Sequence, residues 1–111
     1  MKILMSVLLA LSACMANAAE VWHTSKIKHV YPLADGSFVL TFVVDSPACN
    51  NGSTPKYHYV AVGQTGVTTE GLRSMLSTAL AAAAAQKTVN IAFDDSTTAC
   101  YVNRLSVDFS Q

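Results

Sequence analysis

Apolar residues recur at every second position over most of the chain, and at every third or fourth position over one stretch. The first spacing belongs to half-buried strands and the second to an amphipathic helix. From Glu20 to Tyr31, one strand face carries Val21, His23, Ser25, Ile27, His29 and Tyr31, and the other carries Trp22, Thr24, Lys26, Lys28 and Val30. The Ile27 face is expected inward and the lysine face outward. Pro32 ends this strand, and Asp35-Gly36 marks a hairpin turn. Ser37 to Asp45 follows, with Phe38, Leu40, Phe42 and Val44 on one face and Val39, Thr41 and Val43 on the other. Apolar residues on both faces predict a central strand, or a barrel strand whose outer face is partly covered. Lys56 to Val62 reads as a third strand and Thr88 to Phe93 as a fourth. Cys100 to Phe109 reads as a fifth, with Leu105, Val107 and Phe109 inward and Val102 opposite.

Between the third and fourth strands the alternation stops. Leu72, Met75, Leu76, Ala79, Leu80 and Ala83 form one stripe at helical spacing. Thr68 stands where an N-cap is needed, and Val67 and Leu72 hold the two positions of a hydrophobic staple. Glu70 complements the helix dipole in the first turn. Ala81 to Ala85 extends the helix with the best helix former, and Gln86-Lys87 turns the chain into the fourth strand. Three strands, one helix and two strands, in that order, is the connectivity of the OB-fold, a five-stranded Greek-key barrel whose helix plugs one end. The expected fold is therefore mainly β with one α-helix, an OB-fold-like five-stranded barrel.

The first eighteen residues follow a different logic. Lys2 is a positive start, Ile3 to Leu11 is a short apolar run, and Ala16-Asn17-Ala18 is a small-residue cleavage site. This is the pattern of a secretory signal peptide over residues 1–18, leaving 19–111 as one OB-like domain in the periplasm or outside the cell. The apolar run is too short to span a bilayer as a helix. Leu11-Ser12-Ala13-Cys14 also fits a lipobox, in which Cys14 is acylated and the chain becomes an outer-membrane lipoprotein. Either processing sets Cys14 apart and leaves Cys49 and Cys100. An oxidising compartment would pair them and close a loop of about 50 residues, stabilising the fold by about 4 kcal/mol. Two buried free thiols are the other reading.

Charge narrows the partners. Seven Lys and Arg balance seven Asp and Glu. The chain thus lacks the basic footprint expected of a nucleic-acid binder or of a domain held on anionic lipid.

Candidate chemistry is sparse. There is no GxSxG nucleophile motif and no CxxC pair. His23 and His29 share a strand face, but six residues span about 20 Å of extended chain, too far for one metal ion. The three histidines, with His58, are expected on the sheet surface, and Asp94-Asp95 in a solvated turn. Trp22, Tyr31, Tyr57, Tyr59 and Tyr101 either pack the barrel or offer rings on which sugars stack. The polar loop Ser46 to Pro55 adds Asn50 and Asn51. The ligand-binding candidates are Trp22, His23, Tyr57, Tyr59, Asn50 and Asn51. No catalytic residue, metal ligand or cofactor is expected.

The run Glu70-Gly71-Leu72-Arg73-Ser74-Met75-Leu76, the alanine-rich helix behind it, and Gln86-Lys87-Thr88-Val89-Asn90-Ile91 resemble the helix and following strand of subtilase cytotoxin B subunits and their small exported relatives. Cys49 ahead of the third strand and Cys100 ahead of the fifth are similarly placed. The likeness covers roughly Ile27 to Val107 and rests on order and spacing. It implies an exported OB-fold. It also implies glycan binding and assembly into a ring, since that family's toxins form pentamers that bind sialylated glycans and deliver an enzymatic A subunit. The chain lacks the family's N-terminal Gly-, Asp- and Ser-rich segment and its cysteine-bearing C-terminal region. No sugar-contacting residue carries over by position. The expected function is an exported, non-catalytic binding module for a glycan or a protein, acting alone or as a homo-oligomeric ring. The alternative is a small periplasmic enzyme or metal-binding protein that uses the histidines and aspartates.

Overall fold

The computed structural model describes residues 20–110. The expected signal peptide at 1–18 and its Cys14 alternative lie outside the described residues. Strand β1 spans Glu20–Pro32, β2 Phe38–Phe42, β3 His58–Val60, β4 Thr88–Asp94 and β5 Val102–Val107, with helix α1 at Thr69–Ala84 between β3 and β4. The molecule is mainly β: one five-stranded sheet in the order β3-β2-β1-β4-β5, every pairing antiparallel, plus one helix.

β1 is the hub. Its first half, Glu20 to Lys26, pairs with β4, and its second half, Ile27 to Pro32, pairs with β2. The register slips between Ile27 and His29, so Lys28 is the extra residue of a β-bulge. A one-residue slip exchanges the faces of everything beyond it. Val21 and Ile27 pack on the core, but so does Val30, which simple alternation places outside. His29 and Tyr31 turn outward for the same reason. A second bulge lies in β5, where Phe93 faces Val102 but Ala92 faces Arg104. Asn103 is the extra residue there. It lets Val102, fully buried, share the core side with Leu105 and Val107, which a straight strand would forbid.

The predicted strands run long at their ends. β2 stops at Phe42; Val43 and Val44 are 63% and 62% exposed. β3 is only three residues, and Phe109 lies beyond β5 and is exposed. β2 is buried at every position, as befits a strand between β1 and β3 with both faces covered.

The helix begins as its local chemistry demands. Thr68 Oγ1 accepts a hydrogen bond from the Gly71 amide at 3.0 Å, and the staple residues Val67 and Leu72 are both buried. It ends in a Schellman turn: the Gln86 amide donates to the Ala83 carbonyl and the Lys87 amide to the Ala82 carbonyl, with Gln86 at φ 56°. The face it buries is rotated from the expected stripe. Leu72, Ala79 and Ala82 are buried, Met75 and Leu76 are partly so, and Leu80 is 49% exposed. The small side chains at Ala79 and Ala82 let the helix lie close to β1, β4 and β5. The core beneath it is built from Phe38, Leu40, Phe42, Val60, Val89, Ile91, Phe93 and Val102.

No continuous ladder joins β3 to β5, so the sheet does not close into a barrel. The segments that lead into these two strands are nevertheless tied across the gap. The Tyr59 amide donates to the Ala99 carbonyl at 3.1 Å, and Cys49 is disulfide-bonded to Cys100.

The rotated helix face makes a direct test. Leu72→Ala should cost about 2–5 kcal/mol, whereas Leu80→Ala should change stability by less than about 0.5 kcal/mol. Urea unfolding of both variants measures the difference. Equal losses would place Leu80 in the core after all.

Candidate functional site

The disulfide seam and the tyrosines beside it form the most elaborated surface of the molecule. The loop that enters β3 is held by one side chain. Asn51 donates from Nδ2 to the Tyr57 carbonyl at 2.6 Å, and its Oδ1 accepts from the Tyr57 amide, the Ser53 amide and the Ser53 hydroxyl. Lys56 reinforces it by donating from Nζ to the Cys49 carbonyl at 2.5 Å, while its amide donates to Asp45 Oδ1. The loop is thus fixed at both ends and in its middle, which aims Tyr57 and Tyr59 the same way.

Because the Lys28 bulge turns Tyr31 outward, the outer face of β1, β2 and β3 carries a row of rings. Tyr31 lies 5.7 Å from Tyr57, Tyr57 lies 6.1 Å from Tyr59, and Tyr59 lies 6.4 Å from Tyr101 across the seam. His29 stacks on Tyr31 at 5.2 Å and meets the Thr41 hydroxyl through Nδ1 at 2.9 Å. Among the described residues, none of these four tyrosine hydroxyls is held by a protein hydrogen bond. All four rings are partly exposed. Tyr57, Tyr59 and Tyr101 line a cleft of about 370 Å³ together with Asn51, Ser53, Thr98 and Ala99. Every lining side chain is uncharged. A second cleft of about 360 Å³ lies on the other side of Tyr101 and is charged, with Glu20, Asp94 and Arg104 among its walls.

Of the six ligand-binding candidates, the structure brings Tyr57, Tyr59 and Asn51 together in the neutral cleft. The other three lie apart from it. Asn50 is exposed and lines neither cleft. Trp22 is on the outer surface of the β1–β4–β5 part, with the Arg104 guanidinium 5.5 Å from its ring and Arg104 in turn 3.6 Å from Glu20. His23 points inward. Its Nε2 meets the Val44 carbonyl at 2.7 Å, and its ring packs edge-on against Phe42. Sequence spacing identified Tyr101 as one aromatic among five, but nothing local ties it to Tyr59. The juxtaposition comes from the Cys49–Cys100 link. Ser53 and Thr98 carry no signal of their own.

His58 departs furthest from expectation. It is not on the sheet surface: it is 1% exposed, boxed by Phe93 at 4.7 Å, Phe42 at 5.3 Å and the parallel ring of His23 at 6.3 Å. Neither ring nitrogen makes a hydrogen bond of full geometry; the Cys100 backbone is a weak polar neighbour that partly offsets the burial. Burial pushes the His58 pKa down from 6.5 to about 4, with the neighbouring His23 adding to the effect. The histidine pair that matters is therefore His23 with His58, not His23 with His29. The Cys49 and Cys100 sulfurs complete a buried cluster with His58, the ligand-type atoms lying within 4.8 Å of one another.

Thr41 Oγ1 and His29 Nδ1 have the spacing of a hydroxyl and its base, and Thr41 is fully buried. No helix among the described residues is long and apolar enough to cross a membrane. The disulfide indicates a non-cytoplasmic environment. No protein-family model matches this chain, and no curated protein matches it.

The buried imidazole sets an acid limit on the oxidised protein. His58 is neutral when folded and takes up a proton more readily when unfolded, so stability is fully present above about pH 6.5 and falls as pH drops toward 4. At about 1.4 kcal/mol per pH unit, the gap between 6.5 and about 4 corresponds to a loss of about 3 kcal/mol. Thermal midpoints of wild type and His58→Phe between pH 7 and pH 4 test it. The phenylalanine variant should lose less over this window, and parallel curves would absolve His58.

Proposed function

We propose that this chain is an exported, non-catalytic binding module whose ligand site is the tyrosine cleft at the β3–β5 seam. The observation that carries the reading is the row Tyr57, Tyr59 and Tyr101. Three partly exposed rings with free hydroxyls border an uncharged cleft whose remaining walls are amide, hydroxyl and methyl groups. Pyranose rings present apolar C–H faces and a rim of hydroxyls. Tyrosine answers both, since its ring stacks and its hydroxyl hydrogen-bonds. The cleft size falls within the range of small-ligand pockets. A glycan is the ligand this chemistry favours; a protein loop rich in small polar residues is the other partner of the same kind.

The fold reading is an OB-like barrel left open at one seam. The helix between β3 and β4, the sharing of β1 between β2 and β4, and the disulfide and hydrogen bond between the β3 and β5 edges all support it. OB-folds bind along the face that includes the second and third strands, and Tyr59 lies on the third strand here. Resemblance to subtilase cytotoxin B subunits supports export and glycan recognition, and raises a homo-oligomeric ring as the working assembly.

A glycan array probed with the mature oxidised protein tests the reading, with mass-resolved analysis of its assembly state. At least one glycan class should bind, and Tyr59→Ala should weaken it by about 1–3 kcal/mol, roughly 5- to 150-fold, without lowering the thermal midpoint by a comparable amount. A folded monomer that binds no glycan would remove the toxin-like version of the proposal. Binding that survives loss of both Tyr59 and Tyr101 would move the site elsewhere.

A further inference from the structure

Cys49, His58 and Cys100 sit at the seam as a fully buried trio whose ligand-type atoms lie within 4.8 Å of one another. In the oxidised chain the two sulfurs are bonded to each other, and the imidazole between Phe42 and Phe93 makes no hydrogen bond of full geometry, with the Cys100 backbone as a weak polar neighbour. A buried polar group with no partner normally costs about 1–3 kcal/mol. An apolar ring would fill the same aromatic box without that cost. The imidazole is thus one partner short in this state.

The surroundings of the sulfurs are also unusual for a purely structural disulfide. Asn51 Nδ2 is 3.2 Å from Cys49 Sγ and 3.9 Å from Cys100 Sγ, so one amide donor faces both. The Lys56 ammonium bonds to the Cys49 backbone. An N–H donor gains little from a neutral disulfide and much more from a thiolate, because charge-assisted hydrogen bonds are roughly twice as strong. A nearby cation likewise favours the thiolate.

We propose that the reduced chain binds one Zn²⁺ through Cys49, His58 and Cys100, and that zinc and the disulfide are alternative fasteners of the same seam. The chain is synthesised with both thiols free. On binding, each thiol releases its proton, and two thiolates with one neutral imidazole balance the 2+ charge. A dry core demands such net neutrality, and a monovalent soft ion would leave one uncompensated negative charge. Three protein ligands fill three of the four tetrahedral positions that zinc takes. Zinc–sulfur bonds of about 2.3 Å and zinc–nitrogen bonds of about 2.0 Å fit a trio this tight after the sulfurs part. The Cα atoms of the two cysteines, 5.7 Å apart, need move little. Asn51 then serves as the partner of the thiolates in the surrounding shell. Oxidation reverses the state. The two sulfurs join, Zn²⁺ leaves, and the electron pair passes to a protein disulfide, which is cleaved to two thiolates.

The test uses the mature chain, oxidised and reduced by a water-soluble phosphine, with zinc sulfate as the probe. The phosphine takes up the disulfide's oxidising equivalent and becomes the phosphine oxide, so no competing thiol is added. Elemental analysis after desalting should give one zinc per reduced chain and none per oxidised chain. Chelator competition should show His58→Phe binding at least tenfold more weakly and Asn51→Ala about tenfold more weakly. The phenylalanine keeps the aromatic box filled, and circular dichroism should show zinc restoring the β signal of any reduced chain that has loosened. A reduced chain that takes up no zinc overturns the proposal. So does zinc held equally by His58→Phe, which would leave a site of cysteines alone, or held equally by the oxidised chain, which would place the ion elsewhere.

Discussion

The link between Cys49 and Cys100 is the constraint on which the rest depends. β3 has three residues and one ladder partner, β2, so its own hydrogen bonds cannot hold it in place. Its far edge meets the turn ahead of β5 through the backbone bond from Tyr59 to Ala99. The crosslink joins residues 51 apart in sequence, and closing a loop of that length stabilises the fold by about 4 kcal/mol in the chain-entropy model. That is several times what one surface hydrogen bond contributes. It also shields two sheet edges that would otherwise offer unpaired backbone to other chains. Asn51 extends the constraint from the sulfurs to the loop backbone, and through Tyr57 to the outer face.

Two bulges convert this constraint into a surface. Without the extra residue at Lys28, Tyr31 would point into the core and Val30 out of it. Without the extra residue at Asn103, Val102 could not face inward together with Leu105. Each slip keeps the core apolar while redirecting the strand beyond it. The outcome is a segregated molecule. Phe38, Leu40, Phe42, Ile91 and Phe93 fill the inside, and Tyr31, Tyr57, Tyr59 and Tyr101 line the outside. Such a row would suit a ligand platform, because each ring has only two side-chain torsions to order.

What was legible in the sequence is what local chemistry decides. The Thr68 cap, the Val67–Leu72 staple and the Asp35-Gly36 turn depend on residues a few positions apart, and all are found where the spacing puts them. Asp35 Oδ1 accepts from the Ser37 amide and hydroxyl, which holds its carboxyl below the usual range and fixes the turn. The strands were legible as elements for the same reason. Their faces were legible only as far as each bulge, because a bulge is set by the partner strand's register, and no residue at Lys28 or Asn103 announces one. The buried face of α1 slipped past Leu80 to Ala82 because the sheet, not the helix, chooses which stripe fits beneath it. His58 escaped notice because its neighbours Phe42, Phe93 and His23 come from three other strands. The candidate site was half legible. Tyr57, Tyr59 and Asn51 are near one another in sequence, whereas Tyr101 and Thr98 reach them only through the crosslink.

The seam holds one contradiction that packing does not resolve. The disulfide contributes about 4 kcal/mol, while the unpartnered imidazole of His58 beside it costs about 1–3 kcal/mol. A phenylalanine at this position would satisfy Phe42 and Phe93 equally well and remove the cost. Stability of the oxidised fold therefore gives no reason for a histidine here. A state in which a nitrogen lone pair is engaged would offset that cost. The two sulfurs lie within 4.8 Å of a ring nitrogen, and the Asn51 amide faces both sulfurs. The residues that fasten the seam surround this imidazole, and Asn51 ties the same seam to the backbone of Tyr57 outside it.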